Sequence, residues 1–353
     1  MEEDAEETCS CPLYLLDQIT IWCENYVGPL LGCLGVVSNL SAITILKSPK
    51  MKSTFHQSLI ALSLCDLAIL FFILVDIFVD IDNQIYIYLY PYVWHPLKSI
   101  TMCWETYLTM SIATERLFAV LWPVLYRRHR LHCSSVSHLL TFILPGLIFA
   151  VLINIPRYFE IEFVCRDGGV DIQATSLRMN KTYIFIYIYW LRLLFTGIIP
   201  YLFLIFANVF IIHTLKKQSQ KSEILRMNIS GSNSLILKAA RSNYLNITLS
   251  NLVLVHLASN LPRLILNLME HSLKEKFYEV DRCGCYAASF WIPSLMRISH
   301  LCLIFNSSVN FFIYILFSSR FLKIFKEKFT SFICRLNKKN IFAQNFIKAR
   351  NGW

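Results

Sequence analysis

The chain has 353 residues, of which 56% are hydrophobic and only 16% charged, and its formal net charge is +10. Soluble domains are about a quarter charged, and 10 Gly with 11 Pro are too few for a fibrous or low-complexity chain. These bounds exclude a disordered or collagen-like protein and most cytosolic enzymes, and they leave a membrane protein or an unusually apolar soluble one, with the position of the charges as arbiter.

A helix needs about 20 apolar residues to cross a hydrocarbon core of about 30 Å. In chain order, residues 25–46 carry no charge, 53–75 carry Asp66, and 99–121 carry Glu105, Glu115 and Arg116. Residues 131–156 carry none, 182–215 carry Arg192, 242–262 carry none and 283–319 carry Arg297. These seven runs are too long for buried strands and lack the alternation of barrel strands. Helices satisfy their own backbone in lipid, so the prediction is an all-α membrane protein, a seven-transmembrane helix bundle. The third run is the least apolar of the set. No repeat relates the two halves, as a transporter built of repeats would show.

Loop charge sets the orientation. The first 24 residues hold Glu2, Glu3, Asp4, Glu6, Glu7, Asp17 and Glu24 and no Lys or Arg. Lys47, Lys50 and Lys52 follow the first run, and Arg127, Arg128 and Arg130 the third. Lys216, Lys217, Lys221, Arg226, Lys238 and Arg241 follow the fifth. The positive-inside rule predicts a multi-pass plasma-membrane protein with its N-terminus extracellular and its C-terminus cytoplasmic. The basic charge then belongs to inner loops beside lipid, and nucleic acid is not expected as a partner. The organisation predicted is an extracellular tail over 1–24, the bundle over 25–319, and an amphipathic helix with a cytoplasmic tail over 320–353. That short eighth helix follows from Phe321, Leu322, Ile324, Phe325 and Phe329 set against Lys323, Lys326 and Lys328. Cys334 closes it as a palmitoylation candidate.

The same topology sorts other residues. Cys9, Cys11, Cys23, Cys165, Cys283 and Cys285 fall outside, where disulfides persist, and fifteen full pairings of them remain open. Asn180-Lys-Thr is the accessible N-glycosylation sequence. No metal-ligand cluster, phosphate loop or nucleophile elbow is visible, so neither an enzyme nor a resident cofactor is predicted.

Polar groups at membrane depth are costly and therefore functional candidates. Asn39 lies mid-way along the first run and Asp66 mid-way along the second. Asn306, Ser307 and Asn310 line the last, with Asn306 and Asn310 on one helical face. Glu115-Arg116 ends the third run at the cytoplasmic side, and Pro200 and Pro262 fall in the fifth and sixth. On these residues the chain resembles a rhodopsin-like (class A) G-protein-coupled receptor over 25–335. Glu115-Arg116-Leu117 stands where that family has Asp/Glu-Arg-Tyr, and Asn310-Phe-Phe-Ile-Tyr314 where it has Asn-Pro-x-x-Tyr. Tyr90-Pro-Tyr-Val93, Asn154-Ile-Pro-Arg-Tyr-Phe-Glu160 and Asn306-Ser-Ser-Val-Asn310 narrow the resemblance to invertebrate FMRFamide-type neuropeptide receptors. The sequence departs from the family where Pro91 replaces the usual Cys before the third span, so the usual disulfide to the second outer loop is not available. Ser259-Asn-Leu-Pro262 replaces the usual Cys-Trp-x-Pro.

The resemblance implies a cell-surface receptor that passes the binding of a neuropeptide, of the amidated FMRFamide-like kind, to a heterotrimeric G protein, with arrestin as a further partner. It assigns G-protein coupling to Glu115, Arg116 and Tyr314. It makes Asn39, Asp66, Asn306, Ser307 and Asn310 a buried polar hub of the kind that holds sodium in many members. Glu105, unusual at its position, is expected there either facing Asp66 and sharing a proton or cation with it, or turned toward a buried base or neutral. The ligand cleft is expected among the outer halves of spans 2, 3, 5, 6 and 7. Its candidates are Asp76, Trp94, Lys98, Arg192, Arg263, Glu270, Arg297 and His300, either as ligand contacts or as mutual ion pairs. A divergent, silent receptor and a transporter are the rival readings.

Overall fold

Apolar runs of this length can hide their backbone from lipid only as helix, and helix dominates the structure. The computed structural model describes residues 15–51, 54–79, 83–132, 135–166, 169–228, 233–272, 291–331 and 334. Helix α1 (Leu15–Trp22) passes through a π-helical turn, Cys23–Val27, into α2 (Gly28–Leu46). The first helix thus begins at Leu15, and residues 15–24, assigned above to the outer tail, are helical. α3 (Thr54–Phe78) follows, then α4 (Gln84–Leu89), a π-helical turn at Tyr90–Trp94, and α5 (His95–Leu121). α6 (Pro123–His132) and α7 (Ser135–Asn154) lead to an antiparallel hairpin of β1 (Ile161–Arg166) and β2 (Gly169–Ala174), with Ile161 opposite Ala174. Short α8 (Ser176–Met179) and α9 (Lys181–Tyr183) precede a π-helical stretch, Ile184–Ile198, that continues into α10 (Ile199–Asn228). α11 (Asn233–Ser272) and α12 (Trp291–Phe317) complete the long helices. Residues 319–331 form a final helix, α13, whose Phe321 and Ile324 are buried while Phe329 is exposed.

Among the described residues, six helical stretches are long and apolar enough to cross a membrane: Gln18–Leu46, Thr54–Phe78, Leu140–Phe159, Lys181–Thr214, Leu245–Met269 and Ser294–Phe317. The expected third span is helical within α5 but is not one of them. Its Lys98, Glu105, Glu115 and Arg116 make it too polar to qualify by composition. The packing explains how such a helix is tolerated. α5 touches α3, α7, α10 and α11, and Glu105 and Glu115 are buried among them rather than turned outward. The outward faces are apolar instead, with Leu30, Leu34 and Val37 exposed on α2 and Leu202, Phe206 and Val209 on α10. Apolar exposure on this scale suits lipid and not water.

Small and polar residues bring α2 against α12, as expected where hydrophobicity alone cannot drive helices together. A side chain at Gly35 would collide with Ser308 and Leu70, so only glycine permits this approach of α2 to both α12 and α3. Ser38 Oγ donates to Ser308 O (3.2 Å) and Asn39 Nδ2 to Ser307 O (2.7 Å). In the fifth long helix Pro200 has no N–H to give, and the carbonyl of Phe195 five residues earlier instead accepts from the Tyr107 hydroxyl at 2.6 Å.

Candidate functional site

The outer half of the bundle holds a cleft of about 70 Å³ between α5, the π-helical stretch, α10 and α11. Met102, Cys103 and Thr106 of α5 face Arg192, Thr196 and Tyr201 across it, and His256, Asn260 and Arg263 of α11 close a third side. Asn154 and Arg157, from the end of α7, complete the lining. The cleft therefore lies among spans 3 to 6 and not against spans 2 and 7. Of the ligand candidates, Arg192 and Arg263 line it.

Of the others, Asp76, Trp94, Lys98, Arg297 and His300 are engaged elsewhere. Asp76 of α3 accepts from Tyr86 (2.9 Å) and Trp94 Nε1 and forms an ion pair with Lys98. Three candidates thus tie one another together and join α3 to α4 and α5. On the opposite flank, Glu24 accepts from His300 Nδ1 at 2.6 Å and lies 3.8 Å from Arg297. Glu24, read above as part of an acidic tail, is in fact the partner of two cleft candidates. Glu270 is in α11, but its side chain lies outside the described residues.

A further cluster, missed as a site, fixes the outer end of α7. Arg157 Nη1 lies 3.0 Å from both His95 Nε2 and Glu160 Oε2. Glu160 also accepts from the Tyr183 hydroxyl (2.9 Å) and lies 3.8 Å from Arg178. Burial alone would raise the Glu160 carboxyl, but His95, Arg157, Tyr183 and Arg178 override it and hold the group down at about 2. The sequence signal was present in Asn154-Ile-Pro-Arg-Tyr-Phe-Glu160, which puts a base and an acid three residues apart at a helix end.

Deeper in, the hub forms with a changed centre. Among the described contacts Glu105 makes no hydrogen bond to Asp66, and its hydrogen bonds go to α11 and α12. Its Oε1 meets His256 Nδ1 at 3.0 Å and accepts from Asn306 Nδ2 at 2.9 Å. A buried base on α11 is therefore the partner of this carboxylate. Asp66 accepts from Asn310 Nδ2 at 2.6 Å, and Asn39 binds the α12 backbone as described. Asn39 Oδ1, Ser63 Oγ, Asp66 Oδ1, Ser307 Oγ and the Tyr314 hydroxyl are buried with no protein hydrogen-bond partner. Unsatisfied buried oxygens cost about 1–3 kcal/mol each, and hard oxygen donors of this kind fit a monovalent cation. Among the described residues no group of three or more His, Cys, Asp or Glu could hold a metal ion.

At the inner end, Glu115 is fully enclosed. It accepts from the Tyr126 hydroxyl (2.8 Å), Thr54 Oγ1 (3.2 Å) and Ser58 Oγ (3.4 Å), and Arg116 Nη2 lies 3.4 Å away. The Arg116 guanidinium sits 3.9 Å over the Phe55 ring and is only 9% exposed. Tyr314 is buried against Phe321 of α13, ring centroids 5.5 Å apart. Tyr126, on α6, was not foreseen as a member of this lock.

Asn180 is exposed and caps α9, its Oδ1 accepting from Thr182 N and Tyr183 N. Cys334 and Cys23 carry free thiols, so Cys23 is unpaired in this structure. Cys165 lies on β1, opposite Val170, with its side chain outside the described residues. Cys9, Cys11, Cys283 and Cys285 also lie outside them.

The structure thus combines a membrane-type helix bundle, a polar cleft, a buried polar cluster and an enclosed Glu115–Arg116 pair. No family model matches the chain. Over 336 residues, 89% of this chain, it is 29% identical to the FMRFamide receptor of Drosophila melanogaster. The chain is therefore similar over most of its length to an invertebrate FMRFamide receptor. It spans 55% of the length of the Drosophila protein.

Proposed function

We propose that this chain is a cell-surface receptor that binds an extracellular neuropeptide, with amidated FMRFamide-like peptides as the expected class, and transmits the event to a heterotrimeric G protein. The observation that carries the reading is identity to a protein named as an FMRFamide receptor across 89% of the chain. The buried Glu115–Arg116–Tyr126 lock supports it, since an inward-held Arg116 is what an inactive state requires. In this reading α5 is also a membrane crossing, the third of seven, the N-terminus is extracellular and the C-terminus cytoplasmic. α13 lies on the inner leaflet with Cys334 as its acylation point, and Asn180 carries the glycan. Agonist binding in the outer cleft favours a form in which α11 moves away from α5 and Arg116 turns to the G protein, with arrestin competing for the same face. A ligand achieves this only by its difference in affinity for the two forms. Asp66 with Asn39, Ser307 and Asn310 would hold a sodium ion, which supplies the charge that ties α3 to α12 in the inactive form.

The test is expression with a promiscuous G protein and a library of amidated neuropeptides. A saturable response to one group of related peptides is expected. Silence toward every peptide, with the chain verified at the cell surface, would overturn the reading.

A further inference from the structure

The charge of the outer cleft is unbalanced. Arg192 and Arg263 line it together with Arg157, and among the described residues no Asp or Glu does. Arg157 is offset by Glu160, although its Nε is buried without a partner. Among the described residues no carboxylate pairs with Arg192 or Arg263, and the Arg263 guanidinium meets only the Met102 thioether at 3.8 Å. Other cations of this half do meet acids: Lys98 has Asp76, while Arg297 and His300 have Glu24. Among the described residues, no acid plays that part for Arg192 or Arg263.

A guanidinium in a partly dry, membrane-embedded site is costly unless an anion meets it. Two of them from different helices, facing one cleft, form a receptor for a planar anion, because each offers a fork of N–H donors that matches a carboxylate. We propose that Arg192 and Arg263 form a carboxylate-binding subsite that receives an acidic group of the activating ligand. The inference deepens the receptor reading and rests on it for the ligand's identity as a peptide. An amidated C-terminus carries no charge, so an amidated peptide supplies the acid from an Asp or Glu side chain. A peptide with a free C-terminus supplies its terminal carboxylate. A ligand Arg is excluded from this cleft by like charge and must lie elsewhere.

Two measurements separate this subsite from the receptor reading itself. In the first, the purified full chain is melted in detergent with rising sodium succinate, against sodium chloride at equal ionic strength. A saturable rise in Tm is expected with succinate, lost in R192Q/R263Q and retained in R192K/R263K. No rise in the wild type, or an equal rise in R192Q/R263Q, overturns the subsite. In the second, agonist peptides from the library are compared in three forms: acidic residue intact and C-terminus amidated, Asp or Glu changed to Asn or Gln, and free C-terminal acid. Loss of the acid should weaken activation at least about tenfold in the wild type and leave R263Q nearly indifferent. Potency that follows the side chain assigns the acid there, and potency that follows the free terminus assigns it to the main chain. Equal potency of all three forms overturns the subsite while leaving the receptor reading intact. A succinate effect without any peptide response supports the subsite and counts against the peptide reading alone.

Discussion

A carboxylate halfway along a membrane helix survives by protonation, by a cation or by a basic side chain. Glu105 uses the last, through His256 and with Asn306 as a second donor. Removing one member of such a pair strands the other, which costs about 3–5 kcal/mol, whereas replacing both with apolar groups of similar size is often nearly neutral. Glu105→Leu and His256→Leu should each lower the melting temperature in detergent, and the double variant should be more stable than the sum of the two losses predicts. Strict additivity would mean the two side chains do not interact. Glu105 stands out in the sequence because a charge in an apolar run is conspicuous. Its partner does not, because His256 lies 151 residues away in a run with no formal charge. The same holds for His300 and Glu24, 276 residues apart, whereas Asp76 and Lys98 both stand out and their mutual pairing is one of the two expected outcomes. The residue types at depth were legible, but long-range pairing is set by helix rotation, which no local pattern encodes.

At the level of elements, the helices were legible because lipid demands about 20 apolar residues at a time. The π-helical stretch over Ile184–Ile198 was not, since its composition is that of any apolar helix and only Pro200 hints at it. The outer hairpin was not foreseen either. It is held at its base by Thr175, whose Oγ1 donates to Phe159 O at 2.6 Å and whose N donates to Glu160 O at 3.0 Å. Glu160 secures this junction, and its behaviour with pH follows from its depressed carboxyl. The folded group titrates near 2, below its ordinary 4.5. The stability it provides is complete above about pH 4.5 and fades as the pH falls toward 2. Wild-type protein should therefore lose more melting temperature between pH 6 and pH 3 than Glu160→Gln, which lacks the charge throughout. Parallel losses would remove Glu160 from the role.

Across the whole molecule, the proposed receptor function would have the Glu115–Arg116–Tyr126 cluster favour one arrangement of the bundle over another. The Tyr126 hydroxyl is the shortest of the bonds to Glu115. A buried hydrogen bond to a charged group contributes about 1.5–3 kcal/mol. Tyr126→Phe should thus raise agonist-free G-protein activation, by up to about tenfold where the inactive form dominates. Unchanged basal signalling at equal surface level would show that this bond is equally present in both forms. Motifs in order exposed the overall plan, but Tyr126 sits in α6, a stretch whose basic residues read as a plain inner loop.

The polarity of α5 also bears on how the protein is made. Glu105 is translated long before its partners, which lie 151 and 201 residues downstream. Until α11 and α12 emerge from the ribosome, this helix has no base to meet its acid. Until then the helix can sit in lipid only with Glu105 protonated or shielded by other polar groups, so products shortened before His256 are expected to insert less efficiently than the full chain, which a membrane-insertion assay of such truncations would check.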